Sequence, residues 1–473
     1  MTKHWKDLDP VISHRPGAVA EGPAPGAESE KVPLSHSQEF LCARDDGEFS
    51  GSFGRRHILV NAWRLTGKVD LDALQGALND VVARHEILRT RVVRDAGQRY
   101  QEIHPPVPVT LLVRDVPPVA GKSADLRAEE LFNEAEAGTL SVRDLPVLRA
   151  ILGRLGGDDW ALVLVTHHTA TDAWSMSVLI RDVMNVYASR RGWHPPELPE
   201  MCQYREFAVA QRARSADAAT RAYWRQKLDG GRIFGIPVEH TTADQPGSSY
   251  SAHVFMIDAA VTADTVAFAK VINGSLFMVL LAVFYLLANQ VTGTTDPVVP
   301  TFSFGRSPRF LNTVGFCVNP LPIRTSLPDN ASRGGSSFRE IVTLTRASCL
   351  EAYAHDVPLT HITSQAPQLT ASVTKDLAVV VFEVVQAPAL ADSRQAGDIS
   401  CTEIVRLNPP AGSRDIPGGM LWSFDVTARN EIGAELLFDR NQFGEEFIAG
   451  LVAQYRQILA ESLANPDERR MLR

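Results

Sequence analysis

The chain contains the stretch Ala161-Leu-Val-Leu-Val-Thr-His-His-Thr-Ala-Thr-Asp-Ala-Trp174, in which two adjacent histidines follow an apolar run with β-branched residues. A run of this kind is typical of a buried strand, so the sequence places His167 and His168 where a strand meets a loop. Because side chains alternate faces along a strand, one imidazole is predicted to pack while the other faces a cavity.

Asp172 follows close to the start of the helical pattern at residues 174–190, where a carboxylate can fix the turn or pair with a cation. A metal site is disfavoured, because opposed imidazoles cannot easily share an ion and the sequence has no further His or Cys cluster nearby. Serine chemistry is disfavoured as well, since the chain has no GxSxG motif. Two interpretations remain: a single imidazole that acts alone, or a histidine with a structural role.

Other segments give this pattern its context. They are Leu34-Ser-His-Ser-Gln-Glu-Phe-Leu41, Arg84-His-Glu-Ile-Leu-Arg-Thr-Arg-Val92, Tyr204-Arg-Glu-Phe-Ala-Val209, Val314-Gly-Phe-Cys-Val-Asn-Pro-Leu-Pro-Ile-Arg324 and Ala354-His-Asp-Val-Pro-Leu359. Together with the HHxxxD segment, they resemble the motifs of the condensation-domain family of nonribosomal peptide synthesis, in family order. The resemblance covers roughly residues 33–465.

The resemblance implies an α/β (α+β) fold with two chloramphenicol-acetyltransferase-like lobes, which form a V-shaped pseudo-dimer with an interlobe channel. A length of 473 residues agrees with two packed lobes. Residues 1–32 are rich in Pro, Gly, Ala and Glu and are predicted to be a flexible leader. Gly192 and the prolines that follow it predict a linker, so the N-terminal lobe is expected at 33–192 and the C-terminal lobe at 193–473.

By the same resemblance, His168 is the catalytic residue, and His167, Asp172 and Arg306 support the active site. Arg306 follows a predicted strand of the second lobe, and the family places an arginine there to pair with the aspartate of the motif. This pair is therefore expected to tie the two lobes together. The alternative from the residues alone is that Arg306 is exposed and contributes little.

Ala173, Trp174 and Asn319 are expected to line the substrate channel. Ala173 stands where the family usually has glycine, so its methyl group either narrows the channel or is neutral. Asn319 either orients a substrate or satisfies a loop backbone, and the second role is favoured.

The family chemistry is attack by an amine or a hydroxyl on an acyl thioester that a phosphopantetheine arm carries. His168 is predicted to orient the nucleophile and accept its proton, and stabilisation of the tetrahedral intermediate is the competing role. No metal or cofactor is expected on this chain, since the phosphopantetheine belongs to an acyl or peptidyl carrier protein. The chain leaves no room for adenylation or carrier domains, so a free-standing condensation enzyme is expected, with its carrier in trans and a small-molecule or carrier-bound acceptor.

Three rival functions remain open. An epimerisation domain shares the fold and the HHxxxD motif but inverts one carrier-bound centre. A coenzyme A-dependent acyltransferase shares HxxxD, although the DFGWG signature of one large branch is missing here. A non-catalytic domain would only recruit partners.

Charge and composition exclude other classes. A net charge of −8 with a pI near 5.9 argues against a nucleic-acid surface. The five cysteines are scattered and odd in number, which is typical of reduced thiols in a cytoplasmic protein. The longest apolar stretch, at residues 276–288, is too short to cross a bilayer comfortably, so it predicts a buried helix between a Ser275 cap and a stop at Gly293. We expect no membrane association and no export signal.

Overall fold

The computed structural model describes most of the chain. The described residues are 30–49, 51–95, 97–193, 198–214, 216–240, 250–328, 335–374, 376–385, 394–408, 419–426 and 431–473. Most of the predicted leader, at residues 1–29, lies outside these ranges. The last three residues of the predicted leader, 30–32, belong to a short strand that pairs with residues 100–103.

Helices and strands alternate along the chain. The helices are α1 (His36–Cys42), α2 (Leu71–Arg84), α3 (Ala124–Glu136), α4 (Ala173–Arg190), α5 (Tyr204–Ala213), α6 (Ala218–Lys227), α7 (Ala259–Val271), α8 (Leu276–Thr292), α9 (Phe338–Ala354), α10 (Leu359–Gln365), α11 (Gln368–Ala371) and α12 (Glu445–Ala464). The strands are β1 (Glu30–Pro33), β2 (Ile58–Thr66), β3 (Thr90–Val93), β4 (Tyr100–Ile103), β5 (Thr110–Asp115), β6 (Leu148–Gly156), β7 (Asp159–His167), β8 (Gly235–Pro237), β9 (Tyr250–Ile257), β10 (Val298–Ser303), β11 (Asn319–Arg324), β12 (Ser336–Ser337), β13 (Leu377–Val385), β14 (Arg394–Ala396), β15 (Ile399–Glu403), β16 (Met420–Val426), β17 (Ile432–Asp439) and β18 (Arg469–Arg470).

The described residues divide into two compact units, so the predicted mixed α/β fold with two lobes is confirmed. The first unit comprises the described residues within Met1–Ala213, Arg306–Cys317 and Ala387–Asp415. The second comprises those within Arg214–Gly305, Val318–Gln386 and Ile416–Arg473. The boundary predicted between residues 192 and 193 therefore falls inside the first unit, and neither unit is one continuous piece of chain.

The first unit is built on a six-stranded sheet in the order β14-β15-β2-β7-β6-β5. Alternation along β2 assigns its two faces: Leu59 and Trp63 belong to one core, and Ile58 and Val60 to the other. Helices α2 and α4 cover the first face and α3 covers the second. The central strands β2 and β7 are thus buried on both sides, which explains the near-continuous apolar sequence of β7.

Packing explains why separate segments join this unit. Tyr204 and Phe207 of α5 are buried in the core under α2 and α4, so the chain stays in the first unit beyond the predicted linker. The later segment 306–317 buries Phe310 and Cys317 in the same core. Strand β15 extends the sheet by pairing with β2.

The second unit is built on a five-stranded sheet in the order β8-β13-β16-β17-β9. Helix α8 is buried along most of its length and packs against α9 and α12. Its ends are as predicted: the Ser275 hydroxyl accepts a hydrogen bond from the Met278 backbone N–H, and Gly293 ends the helix with a φ of +72°.

Among the described helices, none is by itself long and apolar enough to cross a bilayer. Helices α7 and α8 meet that length and composition only as a pair, and they are bent by 105° at the break between them.

Candidate active site

The two motif histidines lie at the end of β7. Strand β7 pairs with β2 on one side and β6 on the other, and nearly all of its residues are buried. His167 is its last residue and is fully buried, whereas His168 keeps part of its surface exposed. The prediction that one imidazole packs is confirmed for His167. That His168 faces a cavity stays a prediction.

His167 is held as a neutral ring. The backbone N–H of Thr169 donates to its Nδ1 at 3.2 Å, so Nε2 carries the hydrogen and donates to the Gly54 carbonyl oxygen at 3.0 Å. Burial lowers the pKa of His167 to about 3, and the neighbouring His168 and Arg94 act in the same direction. Both ring nitrogens of His167 are hydrogen-bonded within the protein, and the ring stays neutral at ordinary pH. His167 therefore supports the loop and does not exchange protons.

His168 adopts the opposite tautomer. Its Nδ1 lies 2.7 Å from the Thr171 carbonyl oxygen, and because a carbonyl can only accept, Nδ1 carries a hydrogen; in the neutral ring Nε2 then has the lone pair. Two rings pack beside it. The centroid of His57 lies 5.0 Å away with the planes tilted by 33°, and Phe316 makes an edge contact at 5.2 Å.

Asp172 caps the N-terminus of α4 and accepts hydrogen bonds on both oxygens. Arg306 donates from Nη1 to Oδ2 at 2.7 Å and from Nη2 to Oδ1 at 2.8 Å. The backbone N–H and the hydroxyl of Ser175 donate to Oδ1, and the Cys317 N–H donates to Oδ2. The pair is buried, with Asp172 at 1% exposure and Arg306 at 8%.

The charges of this pair fit its burial. Burial by itself would raise the pKa of the Asp172 carboxyl, but the charge and hydrogen bonds of Arg306, together with the two backbone N–H donors, hold it below its ordinary value. The pKa of Arg306 is correspondingly raised: burial opposes this, and the charge of Asp172 outweighs it. Asp172 is therefore ionised and fully hydrogen-bonded, which suits a structural support and leaves it little capacity for proton transfer.

One expectation about this pair was wrong. Arg306 was predicted as a contribution of the second lobe, but the segment Arg306–Cys317 belongs to the same compact unit as Asp172. The reason is that the segment buries its own apolar side chains, among them Val314, in the core below α4. The predicted ion pair forms, but both of its members lie in the first unit.

Three other motif segments of this unit meet at the Tyr204 hydroxyl. The Tyr204 hydroxyl donates to the Phe316 carbonyl oxygen at 2.7 Å and lies 2.8 Å from the Ser35 hydroxyl. A Cβ added to Gly315 would lie 1.9 Å from Cδ2 of the Tyr204 ring. Gly315 is thus required for this close approach.

The second motif also has a structural role. His85 is buried, and its Nε2 lies 2.9 Å from Oδ2 of the buried Asp182 on α4, which also accepts from Arg84. The Glu86 carboxylate accepts hydrogen bonds from Nε and Nη2 of Arg205 on α5. This segment joins α2, α4 and α5.

The three residues predicted to line the channel have different settings. Ala173 is the first residue of α4, and it is not among the described residues with positive φ. The indole Nε1 of Trp174 donates to the Leu311 carbonyl oxygen at 2.7 Å. Ala173 and Trp174 are both partly exposed, and contact of either with a substrate stays a prediction.

Asn319 lies in the second unit and is buried. Its side-chain nitrogen donates to Oδ1 of Asp356 at 2.7 Å and to the Val357 carbonyl oxygen at 2.8 Å, and its oxygen accepts from the Leu359 backbone N–H. The favoured alternative, in which the amide satisfies a loop backbone, matches this geometry. The loop that it holds is the motif segment at residues 354–359.

Sequence reasoning missed His57. It directly precedes β2, and the ladder pairs Ile58 with His167, so His57 comes next to His168 one step beyond the paired residues. The sequence around it, Gly54-Arg-Arg-His57, resembles a charged surface turn. Only the strand pairing between β2 and β7 brings it to the site.

Comparison with known proteins finds similar sequences and folds. A sequence model of the condensation domain matches residues 30–471. The crystal structure of SgcC5 from Streptomyces globisporus is similar at 39% sequence identity and a TM-score of 0.87, covering 93% of this chain and all of SgcC5. It was solved in complex with (R)-(-)-1-(2-naphthyl)-1,2-ethanediol and sucrose.

More distant relatives are similar in sequence or in fold over a large part of the chain. CymA of Salinispora arenicola (strain CNS-205), a probable non-canonical nonribosomal peptide synthetase, is 34% identical over 369 residues, which make up 74% of this chain and 4% of CymA. The chain thus spans a small part of the length of the synthetases that it matches. The X-domain from teicoplanin biosynthesis shares the fold, at 24% identity and a TM-score of 0.72 over 93% of this chain and 97% of the X-domain.

Proposed function

Because the chain belongs to the condensation-domain family, we propose that it joins a carrier-bound acyl or aminoacyl thioester to the amine or hydroxyl group of an acceptor. The nucleophile forms a new bond to the thioester carbonyl carbon, and the C–S bond breaks. The products are an amide or an ester and the free thiol of the phosphopantetheine arm. That arm belongs to the carrier protein, which we propose acts in trans.

His168 carries the chemistry in this proposal, and the observation behind it is its tautomer. Because Nδ1–H donates to Thr171, the Nε2 lone pair can accept a proton from the attacking amine or hydroxyl and return it to the leaving sulfur. A thioester is already activated, so alignment and this single proton relay supply most of what the reaction needs. Partial exposure of the ring gives a substrate access to it.

The other motif residues support His168 without reacting. Asp172 caps the N-terminus of α4 and, through Arg306, holds the loop from His168 to α4 against the segment 306–317. His167 fixes the strand end from the buried side. We expect substitutions at these positions to act on stability first and on rate through the placement of His168.

A hydroxyl acceptor has specific support. The SgcC5 structure, of a protein 39% identical to this chain, contains an aryl-substituted vicinal diol. We therefore propose aryl diols and the matching amino alcohols as the acceptors to test first. General-base help matters more for a hydroxyl than for a free amine, because the hydroxyl holds its proton more tightly.

The test pairs one skeleton with two nucleophiles. Carrier protein loaded with an aminoacyl group is mixed with the enzyme and with either 1-(2-naphthyl)-1,2-ethanediol or 2-amino-1-(2-naphthyl)ethanol, and products are identified by mass spectrometry. We expect an ester or amide adduct, and His168→Ala should reduce its rate by about 10²–10⁴-fold. Absence of any adduct with either acceptor, or an undiminished rate for His168→Ala, would overturn the proposal.

Three further measurements separate the rival functions. Exchange of the α hydrogen with solvent in the absence of an acceptor would reveal epimerisation. Equal turnover with acyl coenzyme A in place of the loaded carrier would reveal a coenzyme A-dependent enzyme. Unchanged pathway output in cells that carry His168→Ala would favour recruitment.

A further inference from the structure

We propose that His57 is a positioning residue for His168, and this inference rests on the proposed function, in which Nε2 of His168 handles the proton. The two imidazole rings lie 5.0 Å apart between centroids and are tilted by 33°. This is the distance of packed rings, so the plane of one limits the rotation of the other.

Strand pairing brings the two rings together. The His168 backbone N–H donates to the His57 carbonyl oxygen at 3.0 Å, which extends the β2–β7 ladder by one hydrogen bond. Residues that face each other across an antiparallel ladder have neighbouring side chains, and such cross-strand pairs interact directly. His57 therefore sits in a fixed register opposite His168.

His57 is itself rigidly held. Its Nδ1 donates to the Ser52 carbonyl oxygen at 2.8 Å, and its backbone N–H donates to Gly54. The turn between them is anchored by the buried Phe53, with the Arg94 guanidinium 4.1 Å above its ring. His57 is 7% exposed, so it has little freedom to leave the site.

The same turn contacts both motif histidines. The Gly54 carbonyl oxygen accepts from His167, while His57 contacts His168 through its backbone and its ring. The orientation of the His168 ring is thus limited by the hydrogen bond to Thr171, by the His57 ring and by the T-shaped contact with Phe316.

Removing the His57 ring takes away one of these limits. The His168 imidazole can then turn about its Cβ–Cγ bond, so Nε2 points towards the nucleophile for a smaller fraction of the time. This costs rate at the chemical step and leaves the binding of the loaded carrier unchanged.

Three variants separate the ring from its anchor. His57→Ala removes both, His57→Asn keeps a donor for the Ser52 carbonyl without the ring, and His57→Phe keeps a ring without the donor. With aminoacyl-loaded carrier and the naphthyl diol or amino alcohol, we expect kcat to fall about tenfold or more in the Ala and Asn variants, at an unchanged KM for the carrier, and to be partly rescued in the Phe variant. Unfolding midpoints report whether each variant folds.

Nitrogen-15 spectra of histidine-labelled protein give a readout that a purely structural role would not change. We expect His168 to be the Nδ1–H tautomer in the wild type and a mixture of tautomers in His57→Asn. An Nε2–H tautomer of His168 in the wild type would overturn the inference. So would a His57→Asn variant that keeps both the wild-type kcat and the wild-type tautomer of His168. The wild-type spectrum is informative even where a variant fails to fold. If His168→Ala is inactive while the His57 variants keep full activity, only the inference fails, whereas a fully active His168→Ala defeats the proposed function.

Discussion

Breaking the buried pair between Arg306 and Asp172 is the sharpest test of how the site is supported. The substitution Arg306→Met keeps an apolar stem but removes two charged hydrogen bonds from the Asp172 carboxylate, which keeps those from Ser175 and Cys317. Charged hydrogen bonds are worth about 1.5–3 kcal/mol each, and removing one partner of a buried pair costs about 3–5 kcal/mol. We expect a loss of about 3–5 kcal/mol in the free energy of unfolding, measured by urea titration.

The pH dependence gives this prediction a second signature. In the wild type the pKa of Asp172 is depressed, so its stabilisation is present above its ordinary pKa and is lost as the pH falls through the folded-state value. In Arg306→Met, burial is no longer opposed by the guanidinium, so the pKa of the carboxyl rises and its folded state takes up a proton more readily. The difference in stability between the two proteins should therefore be smaller at pH 5 than at pH 8.

A matched control is available on the surface. Arg339 also donates two hydrogen bonds to one carboxylate, from Nε and Nη2 to the two oxygens of Asp467 at 2.7 and 3.1 Å, but both side chains are exposed. Arg339→Met should leave the urea midpoint nearly unchanged, because water and salt screen such a pair. If Arg306→Met shifts the midpoint no further than Arg339→Met does, burial is not what gives the Asp172 pair its strength.

Three further predictions concern neighbouring residues. Because the pKa of His167 is lowered to about 3 in the folded protein, the unfolded chain binds a proton at this residue below pH ~6.5 and the folded protein does not. His167 alone should therefore lower the free energy of unfolding by about 1.4 kcal/mol for each pH unit below pH ~6.5. His167→Gln should remove this part of the pH dependence in urea titrations at several pH values, and an unchanged dependence would contradict the prediction. Gly315→Ala places a methyl group against the Tyr204 ring and should cost about 1–3 kcal/mol in thermal unfolding, whereas wild-type stability would show that the ring moves freely aside. Ala173→Gly should lower stability by up to about 1 kcal/mol with no change in acceptor preference, and an altered preference in the transfer assay would instead support a methyl group that narrows the channel.

Local patterns predicted the parts of the site that depend on local physics. The strand before His167 and the burial of only one histidine follow from composition and from alternation along a strand. The ends of α8 follow from the side chain of Ser275 and the left-handed backbone of Gly293. Each of these signals involves residues within one turn or one strand, so the sequence displays it directly.

Long-range features could not be obtained in this way. Asp172 and Arg306 are 134 positions apart, and only the family resemblance suggested their pairing. Even then the lobe was wrong, because the assignment of 306–317 depends on which core accepts Phe310 and Cys317. The position of His57 depends on the register between two strands roughly a hundred residues apart, which no local spacing encodes.

The discontinuity of the first unit matters for anyone who wishes to cut or recombine this protein. A fragment that stops at Ala213 would lack Arg306, and its Asp172 would be left as an uncompensated buried anion. It would also lack β15, so β2 would present an unpaired edge that invites intermolecular association. Chimaeras that exchange this half between relatives should therefore transplant residues 306–317 and 394–408 together with the N-terminal part, and simple truncation at the interdomain boundary should yield insoluble material.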